Sequence, residues 1–277
     1  MRRALPMLLL ALFLVWTAGL NAGAWQEDDI VGTLTKAPKA LAGQEPLLTQ
    51  CELGCAAADA VRAYAGTDIA LVSGADLRGD LPRGLVTWRD VQGVFSADRP
   101  LSAGTVTPAQ LYGLLEAAVS HLETDTLTER VAEASKTHAG FCQISGFAFR
   151  YDVSAPAGER VLSVTLEDGG TPDRTARDPV LTVAAPTELL DGSLGLPPVI
   201  HTPLEGTQAE ALAAYLSSRT VLPEGDTDRI VMIGARDFPL VSMFPKGVLA
   251  AGAAVLMALL AFRRMRFNKI QDEYGNT

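Results

Sequence analysis

Histidine is scarce, three in 277 residues, which excludes the His-rich two-metal centre that many hydrolases use to activate water. Cysteine is equally scarce, again three, too few for a dense disulfide framework. Basic residues are outnumbered, 23 Lys+Arg against 32 Asp+Glu, for a formal net charge of −9. A nucleic-acid binder normally carries a basic face, so no nucleic-acid partner is expected. Repeats at solenoid periods are absent. What remains, 48% hydrophobic and 20% charged, is a globular composition that rules out disordered and collagen-like classes.

The two ends carry the simplest signals. Met1-Arg2-Arg3 leads into an apolar run from Ala4 to Leu20, broken only by Pro6 and Thr17, and Ala22-Gly23-Ala24 follows. A positive start, a short apolar stretch and an A-x-A site predict a secretory signal over residues 1–24, cleaved before Trp25. Near the other end, Gly247 to Phe262 is sixteen residues without a charge. At about 1.5 Å rise per residue it is slightly short of a bilayer core, and Phe244 with a snorkelling Lys246 extends it. Arg263, Arg264, Arg266 and Lys269 follow at once, a stop-transfer, positive-inside pattern. The expected organisation is a signal at 1–24, an extracytoplasmic domain at 25–237, a linker at 238–246, a transmembrane helix at 247–262 and a cytoplasmic tail at 263–277. The expected location is the cell membrane, single-pass, with the C-terminus inside. Between Trp25 and Pro245 lie 16 basic and 30 acidic residues, which repel anionic ligands at long range unless a local cationic pocket exists.

The outer segment reads as alternating helix and strand. Leu53, Ala57, Val61 and Tyr64 at helical spacing predict a helix over 52–65. Asp68 to Ser73 reads as a buried strand ending at Gly74. Thr87-Trp88-Arg89-Asp90 resembles a capping box, and Thr107-Pro108 is an N-cap and N1 pair for a helix over 108–121. Residues 124–136 read as an exposed helix or loop. Phe141 to Val153 reads as a strand pair, 161–166 and 180–184 as further strands, 206–218 as a helix and 229–233 as a last strand. The fold class is α/β.

Several short motifs follow one another: Leu53-Gly54, Ala58-Asp59-Ala60, Ser73-Gly74-Ala75-Asp76-Leu77-Arg78, Asp80-Leu81-Pro82-x-Gly84, Val86-Thr87-Trp88-Arg89-Asp90-Val91, Gln143-Ile144-Ser145-Gly146, Tyr151-Asp152 and Arg229-Ile230. In this order they resemble the C-terminal domain of the 5′-nucleotidase/UDP-sugar hydrolase family, whose motifs include LGN…ADA, NGGGIR, I-T-x-x-D-V, Q-x-SG…YD and GRI. The resemblance covers about residues 30–235. It implies two sheets packed between helices, and the substrate-recognition half of a two-domain hydrolase.

The other half of such enzymes is a metallophosphatase domain. No D-x-H, G-N-H-D or G-H-x-H metal motif occurs in this chain, and His121, His138 and His201 stand apart. No catalytic residue, metal or cofactor is expected. The family's binding residues carry over poorly. Arg78 matches the arginine of NGGGIR, where loop capping and substrate contact are both open. The opening Asn is Ser73. The two stacking Phe positions fall at Ala97 and Glu188, and the ribose-holding Asp falls at Leu194. Base stacking contributes about 1–3 kcal/mol per contact, so losing both faces strips the nucleoside pocket. Phe95, Phe141 and Phe147 read first as core, although each is able to restack a base. The candidate substrate contacts are therefore Arg78, Ser73 and Phe141.

Cys51 and Cys55 are four apart at a helix start, awkward for a bridge, and Cys142 is able to pair with either. His138 with Cys142 is a weak nucleophile candidate that lacks a third orienting group. The expectation is a membrane-anchored, non-catalytic binding or assembly module with a degraded nucleoside pocket. The alternative is a recognition half for nucleotide catabolism, completed in trans by a metallophosphatase. Expected partners are the membrane, a weakly held nucleoside or nucleotide, and a metallophosphatase or other membrane protein.

Overall fold

A computed structural model describes residues 25–38, 50–122, 140–219, 222 and 228–234. The expected signal, the linker from 238, the transmembrane segment, the tail, the 124–136 segment and His138 lie outside these residues. Among the described residues no helix is long and apolar enough to cross a membrane.

In chain order the elements are β1 (Ile30–Leu34), α1 (Glu52–Ala65), β2 (Ile69–Ser73), a 3-10 turn (Gly74–Asp76), β3 (Gly84–Thr87), α2 (Trp88–Val94), β4 (Pro100–Val106), α3 (Pro108–Val119), β5 (Cys142–Ser145), β6 (Phe147–Asp152), β7 (Val161–Leu166), β8 (Leu181–Pro186), α4 (Thr187–Leu190), β9 (His201–Thr207), α5 (Gln208–Ser217) and β10 (Ile230–Ile233). A five-stranded sheet has the order β5-β2-β8-β4-β9, a three-stranded sheet the order β10-β6-β7, and β1 pairs with β3. The described residues thus hold three sheets where two were expected.

The five-stranded sheet has a core on each face. Strand side chains alternate between faces, and β2 sends Ile69 and Leu71 one way and Ala70 and Val72 the other. The first face meets the three-stranded sheet and α3 through Phe147, Phe149, Tyr151, Val164, Leu111 and Leu115. The second meets α1, α2 and α5. Alanine is the strongest helix former, and the run Ala56, Ala57, Ala58 and Ala60 lets α1 lie close against sheet and α5.

The expected caps form. Thr87 and Thr107 each accept from the backbone N–H three residues on, and Asp90 and Gln110 accept from the cap backbone in return. Thr207 and Glu210 do the same for α5. The expected 206–218 helix therefore starts two residues later, because Thr207 ends β9. Residues 141–153 do form two strands, but not a pair. β5 joins β2 in the large sheet and β6 joins β7 and β10 in the small one. The chain crosses between sheets at Gly146, which has φ +87° and sits where a Cβ would strike the carbonyl oxygen of Asp68. Only glycine fits both conditions.

Three separated motifs close on one carboxylate. Asp59 of α1 accepts from Ser145 Oγ at 2.6 Å and from two nitrogens of Arg229 at 2.7 and 3.1 Å. Arg229 also donates to the carbonyl of Ile144 at 3.1 Å. Nearby, Gln143 Oε1 accepts from the N–H of Cys51, the residue that caps α1. Its side chain lies directly over Gly54, leaving no room for a Cβ there.

Gly54→Ala is expected to destabilise the protein by about 1–3 kcal/mol through overpacking. Gly113→Ala, on α3 where nothing lies near the new Cβ, is expected to stabilise by about 0.5–1 kcal/mol. Urea unfolding of the two variants checks both signs.

Candidate ligand crevice at the carboxyl ends of β2 and β8

β2 and β8 run parallel, so their carboxyl ends open at the same edge of the sheet, where ligands of open α/β sheets commonly bind. The turn Gly74–Asp76 leaves β2 there, α4 leaves β8, and Arg99 stands just before β4, whose Leu101 pairs with Pro186. These elements bring together groups that are far apart in the chain.

Arg99 is the hub. It donates from Nε to Asp76 Oδ2 at 2.5 Å, from a terminal nitrogen to Asp76 Oδ1 at 3.1 Å, and from the other to Glu188 Oε1 at 3.0 Å. Ser96 Oγ adds a fourth bond, to Asp76 Oδ1 at 3.1 Å. The Asp76 side chain is 3% exposed, that of Arg99 20% and that of Glu188 30%. The hydrogen bond to Asp76 holds the Arg99 guanidinium above its ordinary pKa, against the opposing effect of burial. Glu188 Oε2 is buried and finds no hydrogen-bond partner among the described residues.

The Ala97 loop is pinned from the other side. Its carbonyl accepts from Gln208 Nε2 at 2.6 Å, and Asp98 Oδ1 accepts from the N–H of Ala209 at 3.1 Å. The Ala97 methyl is exposed. Of the two positions of the expected aromatic sandwich, Glu188 belongs to the ion-paired cluster and Ala97 lies in the loop between Ser96 and Arg99, and neither offers a ring. Sequence reasoning gives Glu188 only as the loss of a stacking ring, whereas the structure gives it a cationic partner. Asp76 lies within the Ser73–Arg78 motif, which gives it no partner, and Arg99 lies in no motif, so only the fold makes them neighbours.

The three candidate contacts differ in placement. Arg78 is exposed, its N–H bonded to the carbonyl of Val94. Ser73 is fully buried at the end of β2, and Phe141 is fully buried in the core, its carbonyl accepting from the N–H of Gly74. Phe95 and Phe147 are buried in the two cores. Leu194 is half-buried beside the first core. Cys51, Cys55 and Cys142 are buried thiols, and burial pushes Cys142 up to about 12, so it is no nucleophile at neutral pH. His201 bonds through Nδ1 to the carbonyl of Val199 at 2.8 Å. Among the described residues no group of three or more His, Cys, Asp or Glu is arranged to hold a metal.

An α/β fold of this kind is found among solved 5′-nucleotidases. The family model for the 5′-nucleotidase C-terminal domain matches residues 30–180, more than half of the chain, and the chain belongs to that family. A search of curated proteins finds no match. Among solved structures a 5′-nucleotidase precursor from Thermus thermophilus is similar with a TM-score of 0.62 at 22% identity, over 82% of this chain and 43% of that one. The NAD nucleotidase of Haemophilus influenzae gives 0.59 at 14% identity, over 82% and 40%. The sulfate thiohydrolase SoxB of Thermus thermophilus gives 0.52 at 20% identity, over 83% and 39%. These likenesses establish the fold, and the chain spans about two fifths of the length of these proteins.

Arg99→Ala leaves the buried Asp76 carboxylate without its cation and is expected to cost about 2–4 kcal/mol, somewhat less than a fully buried pair because Arg99 keeps some solvent. Glu188→Gln, at the open side of the cluster, is expected to cost under about 1 kcal/mol. Chemical denaturation of both variants distinguishes a cluster centred on Asp76 from one centred on Glu188.

Proposed function

We propose that this chain is a membrane-anchored, extracytoplasmic module of the 5′-nucleotidase C-terminal family that serves as a non-catalytic binding or assembly unit. The observation that carries the reading is the Asp76–Arg99–Glu188 cluster. The family resemblance implies a substrate-recognition domain, whereas here Arg99 is held by the protein's own carboxylates. Arg78 is the remaining candidate cationic contact, and a single charge-assisted hydrogen-bond set contributes about 1.5–3 kcal/mol. That is too little to hold a nucleotide at micromolar levels against the cost of association.

The sequence supports the anchoring: an export signal at 1–24, an apolar run at 247–262 and four basic residues directly after it. A reporter cysteine in the tail of a cysteine-free variant is expected to resist impermeant thiol reagents in intact cells, while protease added outside degrades the domain. Labelling of the tail, or a protected domain, would overturn the topology.

A second reading is a recognition half completed in trans by a metallophosphatase. It is favoured by the retained scaffold, which is similar to that of longer nucleotidases. Cross-linking in native membranes that captures a chain bearing D-x-H and G-N-H-D motifs would support it.

The first reading makes two expectations about the purified chain. It releases no phosphate from AMP or a UDP-sugar, with or without Mn²⁺ or Zn²⁺, because no metal motif is present to activate water. It binds adenosine or AMP in the millimolar range or not measurably, and Ala97→Phe with Glu188→Phe raises the affinity. A calorimetric dissociation constant below about 10 μM, equivalent to about 7 kcal/mol, would mean that other residues have rebuilt the site.

A further inference from the structure

A second concave site lies at the opposite end of β2, where the chain leaves α1 and enters the large sheet. It is an open cleft of about 520 Å³ whose wall includes Asp59, Arg62, Glu167, Tyr215, Arg219 and Arg229. This volume is in the range of small-molecule sites. Three guanidinium groups and two carboxylates line it, a local positive excess in a chain with a net charge of −9.

Both carboxylates are already engaged. Asp59 accepts from Ser145 and twice from Arg229, and Glu167 accepts from Arg62 at 2.5 Å. The hydrogen bond from Arg62 lowers the pKa of Glu167, so the pair stays ionised. Arg62 is further fixed by the carbonyl of Thr67, and Arg229 by that of Ile144. Arg219 differs. Its guanidinium lies 4.2 Å above the Tyr215 ring, and it has no carboxylate partner among the described residues. The ring holds its plane in position through a cation–π contact without consuming a single N–H donor.

Each guanidinium carries five N–H donors and no acceptor. With the carboxylates engaged, the unfilled hydrogen-bonding capacity of the arginines is donor capacity. A neutral acceptor would answer the hydrogen bonds but leave the excess charge. A second protein's side chain would have to enter a concavity of small-molecule size. The planar forks of Arg62 and Arg219 match the oxygens of a carboxylate or phosphate. Asp68 and Asp168, on the adjoining wall, set a limit on the ligand's reach, since negative charge extending that way meets like charge.

We propose that this cleft binds a small oxyanion, a carboxylate or phosphate group, with Arg219 as the charge that is unsatisfied without it and Arg62 and Arg229 as its fixed neighbours. The site is separate from the crevice at the other end of β2, and it does not depend on what that crevice binds.

The test titrates the full chain with inorganic phosphate and, separately, with succinate, and reads binding by calorimetry and by the rise in melting temperature. At least one anion is expected to saturate in the millimolar range, and the identity of that anion assigns the phosphate or carboxylate source. Arg219→Gln changes an exposed residue beyond the end of α5, so the fold is retained, and it should weaken binding about tenfold, the weight of one charge-assisted hydrogen bond. Glu167→Gln releases Arg62 and removes a negative charge from the wall, so it should tighten binding. Absence of saturation by either anion, equal affinity in Arg219→Gln, or weaker binding in Glu167→Gln would each overturn the proposal.

Discussion

The carboxylate of Asp59 is the constraint on which the arrangement of the sheets depends. It stands on α1, which covers one face of the large sheet. It is reached by Ser145 from the edge strand of that sheet and by Arg229, which opens the parallel edge strand of the small one. The partners are 86 and 170 residues distant in sequence, so no local preference brings them together. Their side chains are only 15% and 17% exposed for Asp59 and Arg229. In such a setting the attraction is large and so is the cost of desolvation. The pair contributes little if both members are exchanged for apolar groups, but removing one member strands the other. Its effect is therefore on register: Arg229, the residue just before β10, is satisfied at Asp59, which favours pairing of β10 with β6 at that place.

The motifs behind the family resemblance are largely the parts of this joint. Leu53-Gly54 and Gln143 meet because Gln143 accepts the N–H at the start of α1 and lies where a side chain on Gly54 would be. Ala58-Asp59-Ala60, Ser145-Gly146 and Arg229-Ile230 meet at the carboxylate and at the crossing between sheets. The resemblance is legible because scaffold positions are tightly specified: small where elements touch, charged where a partner is fixed, glycine where φ is positive. Positions outside that joint are under no such packing constraint, and Ala97 and Glu188 are where the sequence departs from the aromatic residues that the resemblance implies. Fold and function separate at the level of single residues, as is general for folds that host many sites.

Helices and buried strands are readable where the pattern is local. The periodicity of 52–65 and the caps at Thr87, Thr107 and Pro108 place three helices closely. β1, β3, β4 and β9 escape a sequence reading for a physical reason. β3 and β9 run straight into helix caps, β4 begins with proline, and β1, β4 and β9 hold glycine within them, so propensity argues against each. They form because tertiary pairing supplies what the local sequence lacks. The two sheet memberships of β5 and β6 are hidden similarly: a strand pair and a crossing look alike until Gly146 is seen against Asp68.

The charges decide what the two ends of the molecule are able to do. In an acidic chain a cation is valuable to a ligand only if the protein's own carboxylates leave it unsatisfied. At the carboxyl ends of β2 and β8 they do not: Asp76 takes two bonds from Arg99 and Glu188 a third. Arg99 is thus paired internally, and a ligand reaching it would have to displace Glu188 and then compete with Asp76, the more buried partner. At the amino end of β2 the balance is reversed. Asp59 and Glu167 each hold one arginine in place, and Arg219 lies on an aromatic ring that orients it without neutralising it. One end pairs its arginine internally, and the other keeps positive charge with fixed direction. That contrast follows from which carboxylate stands within reach of which guanidinium.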